Sequence, residues 1–376
     1  MDKRLHIICL NVPYPVDYGG VFDLFYKLGA LQQQGVKIYL HCFEYGRGEQ
    51  PELNKYCEKV FYYTRVTGLK ALFGKYPYIV SSRRNEDLLH RLLEDNFPIL
   101  MEGVHCTYLL NDERFKHRKC FVRLHNVEHL YYHHLFKNST LPLQKIHFFR
   151  EAKLLKRYEK RICKKANFWT VIEKDAETYR EMGCESVSFL PLFLPSWTVG
   201  KSEGMGSFCL YHGDLSVGEN EKAARWLVTR VFKDLQIPFV IAGKNPPARL
   251  TRLLHNSSSI CLVANPDDKE MQDLIAKAHV HLIPSFNTTG IKLKLINALF
   301  NGRHCVVNRQ TVDGSGLEKA CHIAEDANEF AEVIAQLYGQ PLGDEDVKLR
   351  QERLPEMFNN ERNARLMVSW IWGDKM

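Results

Sequence analysis

The sequence predicts an α/β chain of two doubly wound domains, each a parallel sheet with helices on both faces. Three observations predict it. Apolar runs of strand length alternate with helix-length amphipathic segments through most of the chain, the pattern of a parallel sheet. The alternation halts once, at Pro191-Leu192-Phe193-Leu194-Pro195 and the residues up to Gly206, and restarts at Ser207. The 376 residues suffice for two domains of ordinary size. The chain therefore divides into a domain at 1–190, a linker at 191–206, a domain at 207–345 and C-terminal helices at 346–376.

In the first half, Leu5 to Asn11 reads as a strand and Val12 to Asp17 as a loop with two prolines. Gly19-Gly20 leads a helix with Val21, Leu24, Phe25, Leu28 and Leu31 on one face, and Val36 to Phe43 is the next strand. Strands follow at Val60 to Thr64, Pro98 to Met101, Cys120 to Leu124 and Phe168 to Ile172. The strand at Cys120 ends in Arg123-Leu124-His125-Asn126-Val127-Glu128-His129. Polar residues at the C-terminal end of a sheet strand are where open α/β folds keep their chemistry. Asn126 also suits the cap of a following helix, with Glu128 near its dipole. His125, Glu128, His129, His133 and His134 are crowded, but their spacing is not the His-Glu-x-x-His zinc signature, so no metal site is expected. Leu143 to Lys165 is a long helix dense in lysine and arginine, read as a solvated face.

In the second half, strands end in His212-Gly213-Asp214, in Gly243-Lys244-Asn245-Pro246 and in Asn265-Pro266. The fourth unit, Val280 to Val307, reads as strand, polar loop, helix, turn and strand. Gly290 opens the helical segment, Ile291, Leu295, Ala298 and Leu299 give it an apolar face, and Asn301-Gly302 ends it. A loop that leaves a strand and opens a helix offers free backbone N–H groups to a phosphate. Lys292 and Lys294 add positive charge within the first turns of this helix, and Lys244 at a strand end.

The spacing Gly290-x-x-x-Lys294-x-x-Asn297-Ala298-Leu299-x-x-Gly302-x-x-x-Val306-Val307 resembles the nucleotide-sugar motif of bacterial group 1 (family 4-like) glycosyltransferases. The resemblance implies a GT-B fold of two facing Rossmann-like domains, with C-terminal helices crossing back to the first. It implies transfer of a sugar from a nucleoside diphosphate donor to a hydroxyl acceptor, with retention of configuration and without metal or cofactor. It implies a growing cell-surface glycan or lipid-linked oligosaccharide as acceptor. It assigns His125, Lys244, Lys294 and Glu128 to catalysis. It assigns Gly19, Gly20, Gly213, Asp214, Gly243, Asn265, Thr289, Gly290, Ile291, Lys292 and Asn297 to the donor. The family's ribose-binding glutamate is Asn297 here, a neutral partner where charged ones bond about twice as strongly. The family's glutamate upstream of the glycine is also absent, the loop offering Asn287, Thr288 and Thr289. Two other readings stand beside transfer: an epimerase of nucleotide sugars on the same fold, and a non-catalytic binding subunit. No pair of carboxylates suggests a glycosidase.

Composition sets the remaining expectations. No apolar run is long enough for a membrane span, and Met1 to Arg4 leads straight into a strand without a signal-peptide pattern. The 11 cysteines are scattered without a Cys-x-x-Cys pair. Cys9, Cys42, Cys209 and Cys305 lie in apolar runs and read as reduced core residues of a cytoplasmic protein. The net charge of +7 suits anionic ligands or a membrane surface and does not name nucleic acid. Gly68 to Arg84 is apolar, aromatic and basic, either a charged loop with a short helix or a surface peripheral to the inner face of a membrane.

Overall fold

The computed structural model describes residues 2–17, 19–68, 74–139, 141–200, 204–254, 259–287 and 289–373. The chain forms two compact units, residues 1–195 with 358–376, and residues 196–357.

Unit 1 runs β1 (Lys3–Cys9), α1 (Gly19–Gln33), β2 (Val36–Glu44), β3 (Lys59–Thr64), α2 (Tyr78–Ser81), α3 (Glu86–Leu92), β4 (Ile99–Glu102), β5 (Cys120–Leu124), α4 (Glu128–Asn138), α5 (Pro142–Ile162), β6 (Asn167–Thr170), α6 (Glu173–Glu181) and β7 (Val187–Phe189). The strands pair in parallel in the order β3-β2-β1-β4-β5-β6-β7. Side chains of a strand alternate between faces. In β1, Leu5, Ile7 and Cys9 enter one core and Ile8 the other. Both faces of the sheet are thus covered, which is why its strands read as continuous apolar runs.

Unit 2 runs β8 (Cys209–His212), α7 (Gly218–Trp226), β9 (Phe239–Gly243), α8 (Ala248–Leu254), β10 (Ile260–Ala264), α9 (Asp268–Lys277), β11 (Val280–Ile283), α10 (Leu293–Asn301), β12 (His304–Val307), α11 (Arg309–Val312), β13 (His322–Ile323), α12 (Ala327–Tyr338) and α13 (Asp344–Met357). Its parallel sheet has the order β10-β9-β8-β11-β12-β13.

The two tail helices divide between the units. In α13, Leu354 is buried and the Arg350 guanidinium donates to the Gly302 carbonyl at 3.3 Å, inside unit 2. In α14 (Asn360–Trp372), Ala364, Met367, Val368 and Ile371 join the core of Leu24, Leu28 and Leu31, inside unit 1. A helix whose apolar stripe is matched by another helix buries it there.

Three differences from the sequence reading have physical causes. Pro191 to Pro195 is part of unit 1 rather than linker, because Leu192, Phe193 and Leu194 are buried there. Two cysteines are not reduced: Cys163 and Cys184 form a disulfide, their Cα atoms 4.7 Å apart. Cys163 caps α5 and Cys184 follows the turn after α6, so helix ends far apart in a reading of spacing meet in the core. Cys9, Cys42, Cys209 and Cys305 are buried and free. The third difference concerns α10. It opens at Leu293, with Lys292 as its N-cap residue, and not at Gly290. Gly290 has φ 64°, a left-handed conformation that suits glycine and interrupts a helix. Leu69 to Phe73, within the apolar-basic stretch noted above, lie outside the described residues, as do Tyr18 and Thr288. No described helix is long and apolar enough to cross a membrane.

Candidate active site

Each sheet reverses its strand order once, between β1 and β4 in unit 1 and between β8 and β11 in unit 2. Such a switch point opens a crevice at the carboxyl ends of the strands, because the flanking helices depart to opposite faces. Both units place buried charge there.

In unit 2 the centre is Lys294, in the first turn of α10. Its ammonium donates to Asn220 Oδ1 at 3.2 Å and to the Tyr211 hydroxyl at 3.4 Å. It lies 4.7 Å from the centre of the Tyr211 ring. Tyr211 is in β8 and Asn220 in the helix after β8, so the contacts span the switch point. Burial pushes the Lys294 pKa down from 10.5 to about 8; Glu219 opposes the shift and Lys292 adds to it. No side chain of its own caps α10. The Leu295 and Ile296 N–H groups turn to the Lys292 carbonyl at 2.9 and 3.3 Å, and those of Leu293 and Lys294 lie ahead of any intrahelical partner, as at every helix start.

The loop before α10 is held by its own polar side chains. Asn308 Oδ1 accepts from the Ser285 N–H at 2.9 Å, and Asn308 Nδ2 donates to the Ser285 carbonyl at 2.7 Å. Asn287 Oδ1 accepts from the Thr289 N–H and hydroxyl at 2.9 and 3.0 Å. The Ser285 hydroxyl donates to Glu219 at 3.1 Å. Thr289 is therefore committed to loop structure, and Lys292 donates to the Thr289 carbonyl at 2.9 Å. Asn297 accepts from Asn301 Nδ2 at 2.8 Å along the same helix.

The strand-end residues of unit 2 do structural work too. A Cβ on Gly243 would lie 1.8 Å from the Gly213 carbonyl oxygen, so only glycine fits between these strand ends. Asp214 accepts from the Ser216 N–H and hydroxyl, closing a turn. Asn265 Oδ1 accepts from the Asn245 N–H at 2.7 Å, and both asparagines are left-handed at φ 54° and 51°, a conformation asparagine tolerates better than most. Lys244 is exposed and Ile291 half-buried.

In unit 1 the switch point holds five ionisable side chains. Asp23 accepts from Lys27 at 2.9 Å, from Arg123 Nε and Nη2 at 3.0 and 3.1 Å, and from the Phe193 N–H at 2.8 Å. Lys27 Nζ also lies 2.7 Å from Glu102 Oε1. Glu102 Oε2 is 3.2 Å from His125 Nε2. Burial opposes ionisation of both carboxyls, yet Arg123 and Lys27 hold Asp23 far below the usual carboxylate range, and Lys27 with His125 lowers Glu102. His125 thus stands at the end of a chain Arg123, Asp23, Lys27, Glu102, only 16% exposed at its side chain. A carboxylate on one ring nitrogen fixes the tautomer. Gly19 and Gly20 begin α1 and carry the chain into this cluster.

Asp23, Glu102 and His125 could by distance hold a metal ion. The Lys27 ammonium already stands between the two carboxylates, at 2.9 and 2.7 Å, and a divalent ion there would face its charge at contact distance.

Asn126 does not cap α4. Glu159 reaches over from α5 and accepts from the N–H groups of Glu128 and His129 at 3.0 and 3.2 Å. It also accepts from the Tyr179 hydroxyl at 2.8 Å and meets His129 Nδ1 at 2.6 Å. This helix N-terminus is closed by the protein's own carboxylate. Glu128 is buried, and burial with the nearby Glu159 pushes its pKa up to about 8. At neutral pH it is a protonated acid. Its folded pKa is raised, so between its ordinary value of 4.5 and about 8 the folded state holds more protons and stability falls as pH rises. Glu128→Gln is expected to remove that fall. The variant should unfold at a higher temperature than wild type at pH 8, with the difference shrinking toward pH 5; an equal difference at both pH values would show that Glu128 is ionised.

Of the residues singled out from the sequence, the structure places His125 and Lys294 at the two switch points, and it adds beside them Asp23, Lys27, Glu102, Tyr211, Glu219 and Asn220, which the sequence reading did not single out. One signal was available: Asp23 and Lys27 are four apart on one helix face, among apolar residues that bury that face.

Residues 207–340 match the family model described as glycosyl transferases group 1. Over 351 residues the chain is 24% identical to a Klebsiella pneumoniae chain described as an uncharacterized 44.6 kDa protein in cps region, covering 88% of this chain and 90% of that one. Solved structures share the fold along nearly the whole length. Sucrose-phosphate synthase from Thermosynechococcus elongatus is 15% identical, covers 98% of each chain and has a TM-score of 0.72. A variant of S. aureus TarM in complex with Fondaparinux, alpha-GlcNAc-glycerol and UDP is 10% identical, with 98% of this chain and 100% of that one covered and a TM-score of 0.70. Anabaena HepE in complex with UDP and glucose is 10% identical, with 99% and 100% covered and a TM-score of 0.66. The fold is that of the GT-B glycosyltransferases, and the second unit resembles group 1 members of that class in sequence.

Proposed function

We propose that this protein transfers a sugar from a nucleoside diphosphate sugar to a hydroxyl acceptor, with retention of configuration and without a metal ion. The observation that carries the proposal is Lys294, half-buried at the switch point of the unit that matches group 1 glycosyltransferases, beside the uncapped N-terminus of α10. This cation is held by neutral oxygens and an aromatic face, and among the described residues it forms no ion pair with a carboxylate. A diphosphate would supply the missing charge. Lys294, the exposed Lys244 and the α10 N–H groups would neutralise the departing nucleoside diphosphate, the electrostatic work that a metal does in other transferases. Gly213 and Gly243 would let the backbone approach the donor. His125, its tautomer fixed by Glu102, would orient the sugar. A glycan acceptor is supported by the neighbours crystallised with sugars and by the cps region of the Klebsiella pneumoniae relative.

A thermal-shift panel of UDP, GDP, ADP and CMP with their sugar conjugates tests this. A ligand at a hundredfold excess over its Kd adds about 2.7 kcal/mol of apparent stability. The expected result is a shift with one diphosphate, then release of that diphosphate with a new glycoside when acceptor is supplied. An isomerised donor in place of a glycoside would identify an epimerase. A folded protein that responds to no nucleotide would sink both readings, leaving a binding subunit in which Asn297 marks the lost ribose contact.

A further inference from the structure

The hairpin of α4 and α5 carries a surface that neither switch point uses. Leu141, Leu143, Ile146 and Phe149 are 55%, 83%, 66% and 42% exposed. They occupy the connection and the first two turns of α5. Phe136 of α4 extends the patch, its ring centre 5.1 Å from that of Phe149. Scattered exposed leucines need no explanation, but several in one short segment mark a surface that meets something apolar.

The charge around the patch identifies what. At 3.6 residues per turn, Leu143, Ile146 and Phe149 share one exposed arc of α5 with Lys145, Lys153, Lys156, Arg157 and Lys160. The Lys145 and Lys153 ammonium groups lie 5.5 and 4.2 Å from the ring centres of Phe136 and Phe149. The two helices contain three carboxylates, Glu128, Glu151 and Glu159, and all three are buried. Each has internal work: Glu159 closes the start of α4, Glu151 accepts from the Tyr78 N–H at 2.6 Å, and Glu128 is held protonated. Among the described residues, the charge this face presents to water is wholly positive.

We propose that this face docks on the surface of an anionic lipid bilayer, with Leu141, Leu143 and Ile146 entering the boundary between headgroups and acyl chains and the lysines above them on lipid phosphates. An apolar edge framed by cations is the chemistry of an interfacial helix. A soluble anionic polymer would satisfy the lysines and leave the leucine and isoleucine side chains in water. A second copy of the same face would oppose like charges across a two-fold axis. The proposal stands apart from sugar transfer and survives if the nucleotide reading fails.

Flotation of the full chain with vesicles tests it, using phosphatidylcholine alone and phosphatidylcholine mixed with phosphatidylglycerol. The expected result is binding to the mixed vesicles, weaker at high salt because exposed charges are screened, and little binding to phosphatidylcholine alone. Leu143→Asp with Ile146→Asp should lower the bound fraction about tenfold or more, since both lost insertion and added negative charge oppose docking. Lys145→Glu with Lys153→Glu should do the same by charge alone. All four side chains are exposed, so thermal unfolding should be unchanged and a folding defect separable. Wild-type protein that stays off the mixed vesicles overturns the proposal, as does equal binding by the aspartate variant. A wild-type oligomer that becomes monomeric in Leu143→Asp, with no vesicle binding, would assign the face to a second copy instead.

Discussion

Lys294→Met is expected to weaken nucleoside diphosphate binding and, at the same time, to raise the stability of the unliganded protein. Truncating one partner of a buried charge pair costs about 2–5 kcal/mol of binding. At about 1.4 kcal/mol per factor of ten, Kd should rise roughly thirtyfold to several thousandfold. The stability gain has the opposite origin. Burial holds the Lys294 pKa at about 8. Each tenfold loss of proton affinity corresponds to about 1.36 kcal/mol, so the charged form costs the empty fold up to about 3 kcal/mol near pH 7. Methionine fills the same volume without that cost. Little is orphaned by the change, because the Tyr211 hydroxyl still donates to the Asn220 carbonyl at 2.9 Å. The pH dependence follows with a definite sign. Above about pH 8 the folded wild type releases this proton while the unfolded chain keeps it up to its ordinary value of 10.5, so wild-type stability gains from this group across that interval. Over the same interval nucleotide affinity is expected to fall, since a diphosphate held as proposed would need the ammonium. Calorimetric titration at pH 7 and pH 9, with melting curves of both proteins, reads both halves. A methionine variant that binds as well as wild type would remove Lys294 from the donor site.

Asp23→Ala should be the most damaging single change in unit 1, at about 3–5 kcal/mol. Asp23 takes four hydrogen bonds from three groups that have no water to turn to, with Lys27 and Arg123 fully buried. Removing it leaves Lys27 with Glu102 as its carboxylate and Arg123 with only the carbonyls of Thr170, Leu190 and Pro191. For a domain of this size, about 2–4 °C is lost per kcal/mol, so the melting temperature should fall by roughly 6–20 °C. The folded pKa of Asp23 is depressed, so its contribution is present at all pH values above the ordinary aspartate range and fades only in strong acid. Adding Arg123→Met to Asp23→Ala should recover part of the loss, since the second change removes one of the stranded charges. Denaturant titration of the single and double variants measures this coupling. A loss below about 1 kcal/mol, the value of an exposed ion pair, would mean that water reaches the cluster.

The sequence alone determined the class of fold and the approximate places of its strands. Those depend on local information: apolar runs of strand length such as Leu5 to Cys9, and breaks at Gly302 or Pro284 that any short window reveals. The resemblance in Gly290 to Val307 carried the functional reading for the same reason, since loop, lysine and helix lie within one unit of sequence. What the tertiary structure decided is which distant residues share a crevice. Asp23 and Arg123 are 100 positions apart, and Lys294 and Tyr211 are 83. They meet because each sheet reverses its strand order beside its first strand, which no window of sequence displays. The same holds for Glu159, which closes α4 from a helix later in the chain, for Cys163 and Cys184, and for the Pro191 to Pro195 segment that reads as a linker and packs as core. Local pattern fixes where a strand or helix forms, because backbone preference and periodicity act over a few residues. Side-chain charge can be buried only where partners converge from several elements at once, and that convergence belongs to the fold.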